Sequence, residues 1–341
     1  MKKSILQILK ITGFLALGVL LLYFAFRGVA MDQLAATLRE ANFLWIGVSL
    51  CFAFISFFSR ARRWVLLIEP LGYKPSFRNT YHSLMVGYLS NYALPRLGEV
   101  TRCVTLGRRE KIPVDSLIGT VIIERVIDLI MLLLIMLILL FSWMDKFGTF
   151  FSEQVFDPLK GKVLDSFGGT WVFWLMVAGS GCILLLALFL LRKKLVKIPL
   201  VKKIFGFVRG MADGLKSIYK MNRKWEFVFH SIFIWILYIM MTWVVVFALK
   251  DTSGLTIIDG VFLLVIGGLG MSAPVTAGFG AFHWIVSRGL MVVYDLTLEQ
   301  GTAYAILAHE SNSILTIVLG AISYIVLMTT AKKLTSTEKA A

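Results

Sequence analysis

Six apolar runs near the roughly twenty-residue length of a membrane-spanning helix recur along this chain. They are Ile11 to Phe26, Phe43 to Ser59, Leu117 to Trp143, Trp171 to Leu191, Phe227 to Leu249 and Thr302 to Met328. A chain built this way hides its apolar surface in lipid rather than in one water-excluding core. Composition agrees, since 58% of the 341 residues are hydrophobic and the mean hydropathy is +0.81, above the near-half apolar content of a soluble domain. The expected fold class is an all-α polytopic membrane protein, with a single transmembrane domain over residues 1–334 and a disordered cytoplasmic tail over 335–341.

Two further apolar stretches, Asn79 to Leu106 and Ile257 to Val293, are each interrupted near the centre by proline and glycine. They decide the topology. The formal net charge of +15 would suggest nucleic acid in a soluble protein, but here the basic residues are first sorted by membrane side. Lys2, Lys3 and Lys10 accompany the start of the first run, and Arg60, Arg62 and Arg63 end the second. Arg192, Lys193 and Lys194 follow the fourth, and Lys332 and Lys333 follow the sixth. Such clusters mark cytoplasmic ends. Arg27 follows the first run without a convincing small-residue cleavage site, so this run reads as an uncleaved span.

If Tyr81 to Leu94 crossed fully, Arg102, Arg108, Arg109 and Lys111 would lie outside and every later span would invert, which the positive-inside rule rejects. Each interrupted stretch is therefore read as a hairpin that enters and leaves on one side, the first from the cytoplasm and the second from outside. The expectation is six transmembrane helices plus two opposed re-entrant hairpins, with N and C termini cytoplasmic. Residues of about 1–143 and 171–330 then share the order span, span, hairpin, span in opposite orientations. Such an inverted repeat is common in secondary transporters, where broken segments meet near the midplane to form the substrate site. The competing reading is two independent interfacial hairpins.

Two connecting segments read as amphipathic. Met31 to Asn42 suits an external interfacial helix, and Lys202 to Lys220 suits a helix on anionic inner-leaflet lipids or a plain basic loop. Cys51, Cys103 and Cys182 are expected as free thiols.

The stretch Asn91 to Arg102, Asn-Tyr-Ala-Leu-Pro-Arg-Leu-Gly-Glu-Val-Thr-Arg, breaks a helix where freed backbone groups need protein or a water-filled cavity. Arg96, Glu99 and Arg102 recur every three residues and can share a helical face. A surplus of arginine suits phosphate, because the planar guanidinium donates two hydrogen bonds at once. Snorkelling of Arg96 and Arg102 to the headgroups is the alternative.

Glu124, Arg125 and Asp128 sit well inside the third span, where charge marks a protein interior or an aqueous pathway. Both a functional site and an internal ion-pair cluster with the first hairpin remain open there. In the second hairpin Gly267, Gly268 and Gly270 read as a packing surface, and Pro274, Gly278 and Gly280 as a turn beside a site. His309 and Glu310, with His283, read as a proton relay, because histidine changes charge near neutral pH. His283 alone reads equally as a satisfied polar residue. The chain carries no P-loop, no His-Glu-x-x-His zinc motif and no Gly-x-Ser-x-Gly elbow.

The pattern Asn91-x-x-Leu94-Pro95-Arg96-x-Gly98-Glu99-x-x-Arg102, then Glu124-Arg125-x-x-Asp128, then the hairpin from Pro274 to Gly280, resembles the lysylphosphatidylglycerol synthase transmembrane family over nearly the whole chain. That family includes the flippase half of the multiple peptide resistance factor. The resemblance implies two re-entrant hairpins meeting in a bacterial cytoplasmic membrane and movement of an amphiphilic lipid between leaflets. Aminoacyl transfer in the family belongs to a separate soluble domain, which this chain, ending soon after its last span, is expected to lack. The departure is the second hairpin, where the family has Pro-Gly-Gly-x-Gly followed by glutamate and this chain has His283 after its glycines.

The resulting expectation is a lipid flippase or translocator acting on a lipid with a phosphate-bearing headgroup. Asn91, Arg96, Glu99, Arg102, Glu124, Arg125, Asp128, Pro274, Gly278 and Gly280 would bind it, and His309 with Glu310 would couple protons. No cofactor, metal or nucleic acid is expected, and the oligomeric state is left open. The rival expectation is an integral-membrane enzyme or accessory subunit of cell-envelope glycolipid synthesis. A third is an ion-coupled transporter of a small solute.

Overall fold

The computed structural model describes residues 19–150, 221–273 and 275–338, and these form helices and turns with no strand. Trp171 to Leu191, Lys202 to Lys220, Cys182, Pro274 and the start of the first apolar run lie outside the described residues. Contacts group residues 1–139 with 221–341 as one unit and residues 140–220 as another.

In the larger unit α1 (Val19–Phe26) bends by 88° into α2 (Met31–Arg39). Gly28, at φ +88°, takes the left-handed conformation this corner requires. The helix expected in Met31 to Asn42 is therefore present. α3 (Phe43–Ile68) starts at Asn42, whose side chain accepts a hydrogen bond from the Leu44 N–H and so satisfies a free helix-end donor. It continues past Ser59 to Ile68, because the apolar run resumes after the arginines as Trp64-Val65-Leu66-Leu67-Ile68.

Later in the chain α8 (Lys224–Val244) lies along α3 and tightens into a 3₁₀ segment at Val245–Ala248. Polar ties run the length of this pair. Ser49 Oγ donates to the Met241 carbonyl at 2.8 Å, Arg60 Nη1 to Tyr238 Oη at 2.7 Å, and Arg62 Nε to Glu226 Oε1 at 2.6 Å.

The first interrupted stretch forms an antiparallel helical hairpin of α4 (Phe77–Ala93) and α5 (Leu97–Glu110). Glu110 closes its base, with Oε1 accepting from the Ser76 N–H at 3.1 Å and from Asn79 Nδ2 at 2.7 Å. Near the tip Gly87 and Gly98 let the backbones touch. A Cβ on Gly87 would stand 2.8 Å from the Gly98 carbonyl oxygen and 2.9 Å from Arg102 Cβ.

The second stretch is built alike, from α9 (Ile257–Met271) and α10 (Ala281–Tyr294). Asp259 joins its base, capping α9 through Thr256 and accepting from Tyr294 Oη at 2.8 Å. Gly267 and Gly270 face Phe282 and Gly268 faces Leu132, so these glycines serve close packing as expected. The tips of the hairpins approach each other, as α4 touches the 3₁₀ turn Thr276–Gly278 and the Tyr92 and Phe279 rings lie 6.4 Å apart.

Two long helices follow the hairpins. α6 (Val114–Ser142) has 29 residues, about 43 Å at 1.5 Å per residue. α11 (Leu298–Glu338) packs against α4, α10 and α2. It runs through Glu338, so the tail expected from Thr335 is helical over its first residues. Phe43–Leu71, Lys224–Ala248 and Leu298–Thr330 are long and apolar enough to cross a membrane, and α1 with α2 add a fourth if the bent pair counts as one. A buried cluster of Trp64, Ile68, Cys103, Leu106, Ile112, Leu117 and Val121 fastens α3, α5 and α6 together. In lipid such contacts stabilise by close packing rather than by release of water. In the other unit the described residues 140–150 hold the end of α6 and the short helix α7 (Met144–Phe150).

Candidate functional site

Five charged side chains from three helices converge beside that apolar cluster. Glu124 of α6 is 1% exposed, and its Oε1 accepts from Arg60 Nη2 of α3 at 2.8 Å. Its Oε2 lies 3.0 Å from Arg102 Nη2 of α5. Asp128, one turn along α6, stands 2.8 Å from Arg63 Nη2 and 3.4 Å from Arg60 Nη2. Arg63 is fully buried and Arg102 is 2% exposed. The Arg102 guanidinium carbon sits 4.6 Å from the Trp64 ring centroid, and the Trp64 indole N–H donates to Thr120 Oγ1 at 2.9 Å. Trp64 is thereby fixed as a flat support for the guanidinium.

Arg60, Arg63 and Arg102 thus face Glu124 and Asp128, a formal excess of one positive charge. Arg63 and Arg102 approach the carboxylates at ion-pair distance but without hydrogen-bond angles. Arg63 Nε and Nη1 and Arg102 Nη1 are buried without a hydrogen-bond partner. Glu124 Oε2 and Asp128 Oδ1, which face Arg102 and Arg63, likewise lack a hydrogen-bond partner, and unpaired donors on a buried cation are costly.

The first hairpin divides its predicted residues between roles. Arg102 enters the cluster and does not snorkel. Glu99 does not pair with Arg96 or Arg102 on its own helix but reaches Arg125 of α6 at 3.0 Å, at the half-exposed edge of the site. Asn91, expected to touch substrate, uses its side-chain oxygen to accept from the Gly98 N–H at 2.7 Å, closing the tip and satisfying the first turn of α5. Arg96 adopts φ +61° as the residue before α5 and is exposed, apart from the buried arginines. The left-handed turn at Arg96 follows from the break at Pro95 and carries the chain back along α4.

The sequence reading misses Arg60 and Arg63, which it takes with Arg62 as one boundary marker. The spacing does carry the signal. Residues three apart share a helical face, so Arg60 and Arg63 both reach the carboxylates of α6, Arg60 also donating to Tyr238 of α8, while Arg62 reaches Glu226 of α8. The apolar continuation to Ile68 buries Arg63 fully and leaves Arg60 only 11% exposed, against 25% for Arg62.

The second hairpin forms a separate cluster with α11. His309 Nδ1 lies 2.9 Å from Glu310 Oε1, and His283 Nε2 of α10 lies 3.2 Å from the same oxygen. His309 Nε2 lies 2.9 Å from the Ala277 carbonyl oxygen, in a turn where Ala277 has φ +49° and Gly278 φ +75°. The three residues expected to act together are therefore in contact. Gly280, at φ +80°, also answers to packing, since a Cβ there would stand 2.5 Å from the Leu22 nitrogen of α1.

The lysylphosphatidylglycerol synthase TM region model matches residues 10–320. A UPF0104 membrane protein of Methanocaldococcus jannaschii is 22% identical, over 94% of this chain and 96% of its own. No solved structure matches. With the apolar helices described above, these matches make the chain a multi-pass membrane protein that belongs to the lysylphosphatidylglycerol synthase TM region family.

Proposed function

We propose that this protein moves a lipid with a phosphate-bearing headgroup between the two leaflets of a cytoplasmic membrane. The observation that carries the reading is the buried arginine excess around Glu124, with guanidinium N–H groups left unpaired. A charge cluster made only for stability would tend towards neutrality and paired donors, because unpaired buried charge is destabilising. An arginine surplus instead matches the planar, bidentate recognition of phosphate.

The architecture in this proposal has six crossings, cytoplasmic termini and two re-entrant hairpins entering from opposite sides. It is supported by the two helix-turn-helix pairs, each closed at its base by a carboxylate, whose tips approach one another. Arg102 of the first hairpin and Arg125 beside it contact the headgroup in turn, and Glu99, Glu124 and Asp128 hold the arginines in place. No aminoacyl-transfer chemistry enters this reading, which makes the protein a transporter rather than an enzyme.

The test is a leaflet-accessibility assay in phosphatidylcholine vesicles containing fluorescent phosphatidylglycerol. Reconstituted protein is expected to accelerate exchange over protein-free vesicles, and Arg102→Lys, which keeps the charge and loses the fork, is expected to slow it. Absence of acceleration with several phosphate-bearing lipids ends the proposal. A change in lipid mass, read by mass spectrometry of the recovered lipid, replaces it with the enzyme reading.

A further inference from the structure

The contacts of His309 set a charge requirement on its surroundings. A carbonyl oxygen only accepts hydrogen bonds, so the nitrogen facing Ala277, Nε2, carries a hydrogen. In the neutral ring the other nitrogen, Nδ1, then presents a lone pair to Glu310 Oε1, 2.9 Å away. His283 Nε2 closes on that oxygen from the other side at 3.2 Å. Two acceptors cannot face each other at this distance without a proton or a metal ion between them.

We infer that His283, His309 and Glu310 form a binding site for a first-row divalent cation of the Zn²⁺ class. One ligand atom from each of His283, His309 and Glu310 lies within 4.8 Å of the others. Ligands around a tetrahedral ion at 2.0–2.1 Å are separated by roughly 3.3 Å, close to the 2.9 and 3.2 Å seen here. The donor set of two imidazoles and one carboxylate suits zinc and its neighbours rather than Mg²⁺ or Ca²⁺, which prefer oxygen.

The surroundings of His309 fit the same reading. Metal-bound histidine commonly donates its remote ring N–H to a carbonyl, which fixes the tautomer and aims the free lone pair. The Ala277 carbonyl stands where that acceptor belongs. Phe279 and Phe282 pack on the His309 ring with centroids 5.2 and 5.0 Å away, and Phe26 lies 6.2 Å from the His283 ring. Both histidines are buried while Glu310 is 32% exposed, so the ion would enter along the Glu310 side and keep an open coordination position there. The ion would also clasp α10, the Ala277 turn and α11 together, and any ion that binds only the folded state stabilises it.

The test uses the full-length protein purified without a polyhistidine tag, and it needs no lipid transport. Loaded with Co²⁺, the wild type is expected to show the visible absorption of a four- or five-coordinate ion, at about one ion per chain. Zn²⁺ is expected to compete with it and to raise the thermal unfolding midpoint. His283→Gln and Glu310→Gln are expected to weaken Co²⁺ binding about tenfold or more, while His82→Gln, outside the cluster, leaves it unchanged. A wild-type Co²⁺ spectrum indistinguishable from the free aqueous ion, with no effect of Zn²⁺ on unfolding, overturns the proposal. The positive charge is then a proton shared by His309 and Glu310. This outcome and the failure of lipid exchange are read in separate experiments.

Discussion

Arg102 and Glu124 meet at 3.0 Å, one on the returning helix of a hairpin and the other on a long helix, with neither more than 2% exposed. Their contact binds the first hairpin to α6 at the point where Arg60 and Arg63 arrive from α3. Glu124 is the carboxylate common to all three arginines.

Glu124→Ala therefore leaves three guanidinium groups, those of Arg63 and Arg102 buried, with one carboxylate. Removing one partner of a buried ion pair costs about 3–5 kcal/mol. Equilibrium unfolding in detergent is expected to show a loss of that order. A loss below about 1 kcal/mol, the range of exposed pairs, would mean that the cluster does not hold these helices together.

Arg125 gives the opposite pattern. It is 43% exposed and its partner Glu99 26%, so Arg125→Ala is expected to cost less stability than Glu124→Ala. Under the lipid-transport proposal the same variant slows leaflet exchange. Unchanged exchange in the folded variant removes Arg125 from the mechanism.

The tip of the first hairpin offers a steric test. A Cβ on Gly98 would collide with the Gly87 carbonyl and stand 2.7 Å from Asn91 Oδ1. Gly98→Ala is expected to destabilise by about 1–3 kcal/mol through overpacking. Gly47→Ala and Gly119→Ala, which meet nothing within 4 Å, are expected to be neutral or stabilising by up to about 1 kcal/mol, the helix-propensity gain of alanine over glycine. Thermal midpoints of the three variants measured together would expose any failure of this order.

Asn91 separates a structural role from a substrate role. Its oxygen accepts from the Gly98 N–H, a function Asp retains and Ala loses. Asn91→Ala is expected to cost about 1–2 kcal/mol, with Asn91→Asp nearer the wild type. If both variants keep full stability while leaflet exchange falls, Asn91 belongs to headgroup binding instead.

The proposed topology places the bases of the hairpins on opposite sides. Lys74→Cys and Lys250→Cys lie at exposed positions, the first just before α4 and the second in the 3₁₀ segment Lys250–Thr252 that precedes α9. In a Cys51→Ala, Cys103→Ala, Cys182→Ala background, an impermeant maleimide applied to intact cells is expected to label Lys250→Cys alone. Labelling of both from the same side ends the opposed-hairpin arrangement.

The sequence by itself determined the helical class, the long helices starting near Phe43, Leu117, Phe227 and Thr302, and the two apolar stretches broken into helix pairs. Apolar length and helix-breaking residues are local properties that act before any tertiary contact forms. It also brought out Arg102, Glu124, Asp128, His283, His309 and Glu310, because charge and imidazole within apolar runs stand out by type alone. Pairing was decided only by the tertiary structure. Glu99 lies three residues from two arginines yet joins Arg125 of another helix, and Arg60 and Arg63 leave their apparent boundary to surround Glu124. Sequence spacing gives the angle at which a side chain leaves its helix, whereas the partner it meets depends on how α3, α5 and α6 pack, and that packing is set by Trp64, Cys103, Leu106 and Leu117 together.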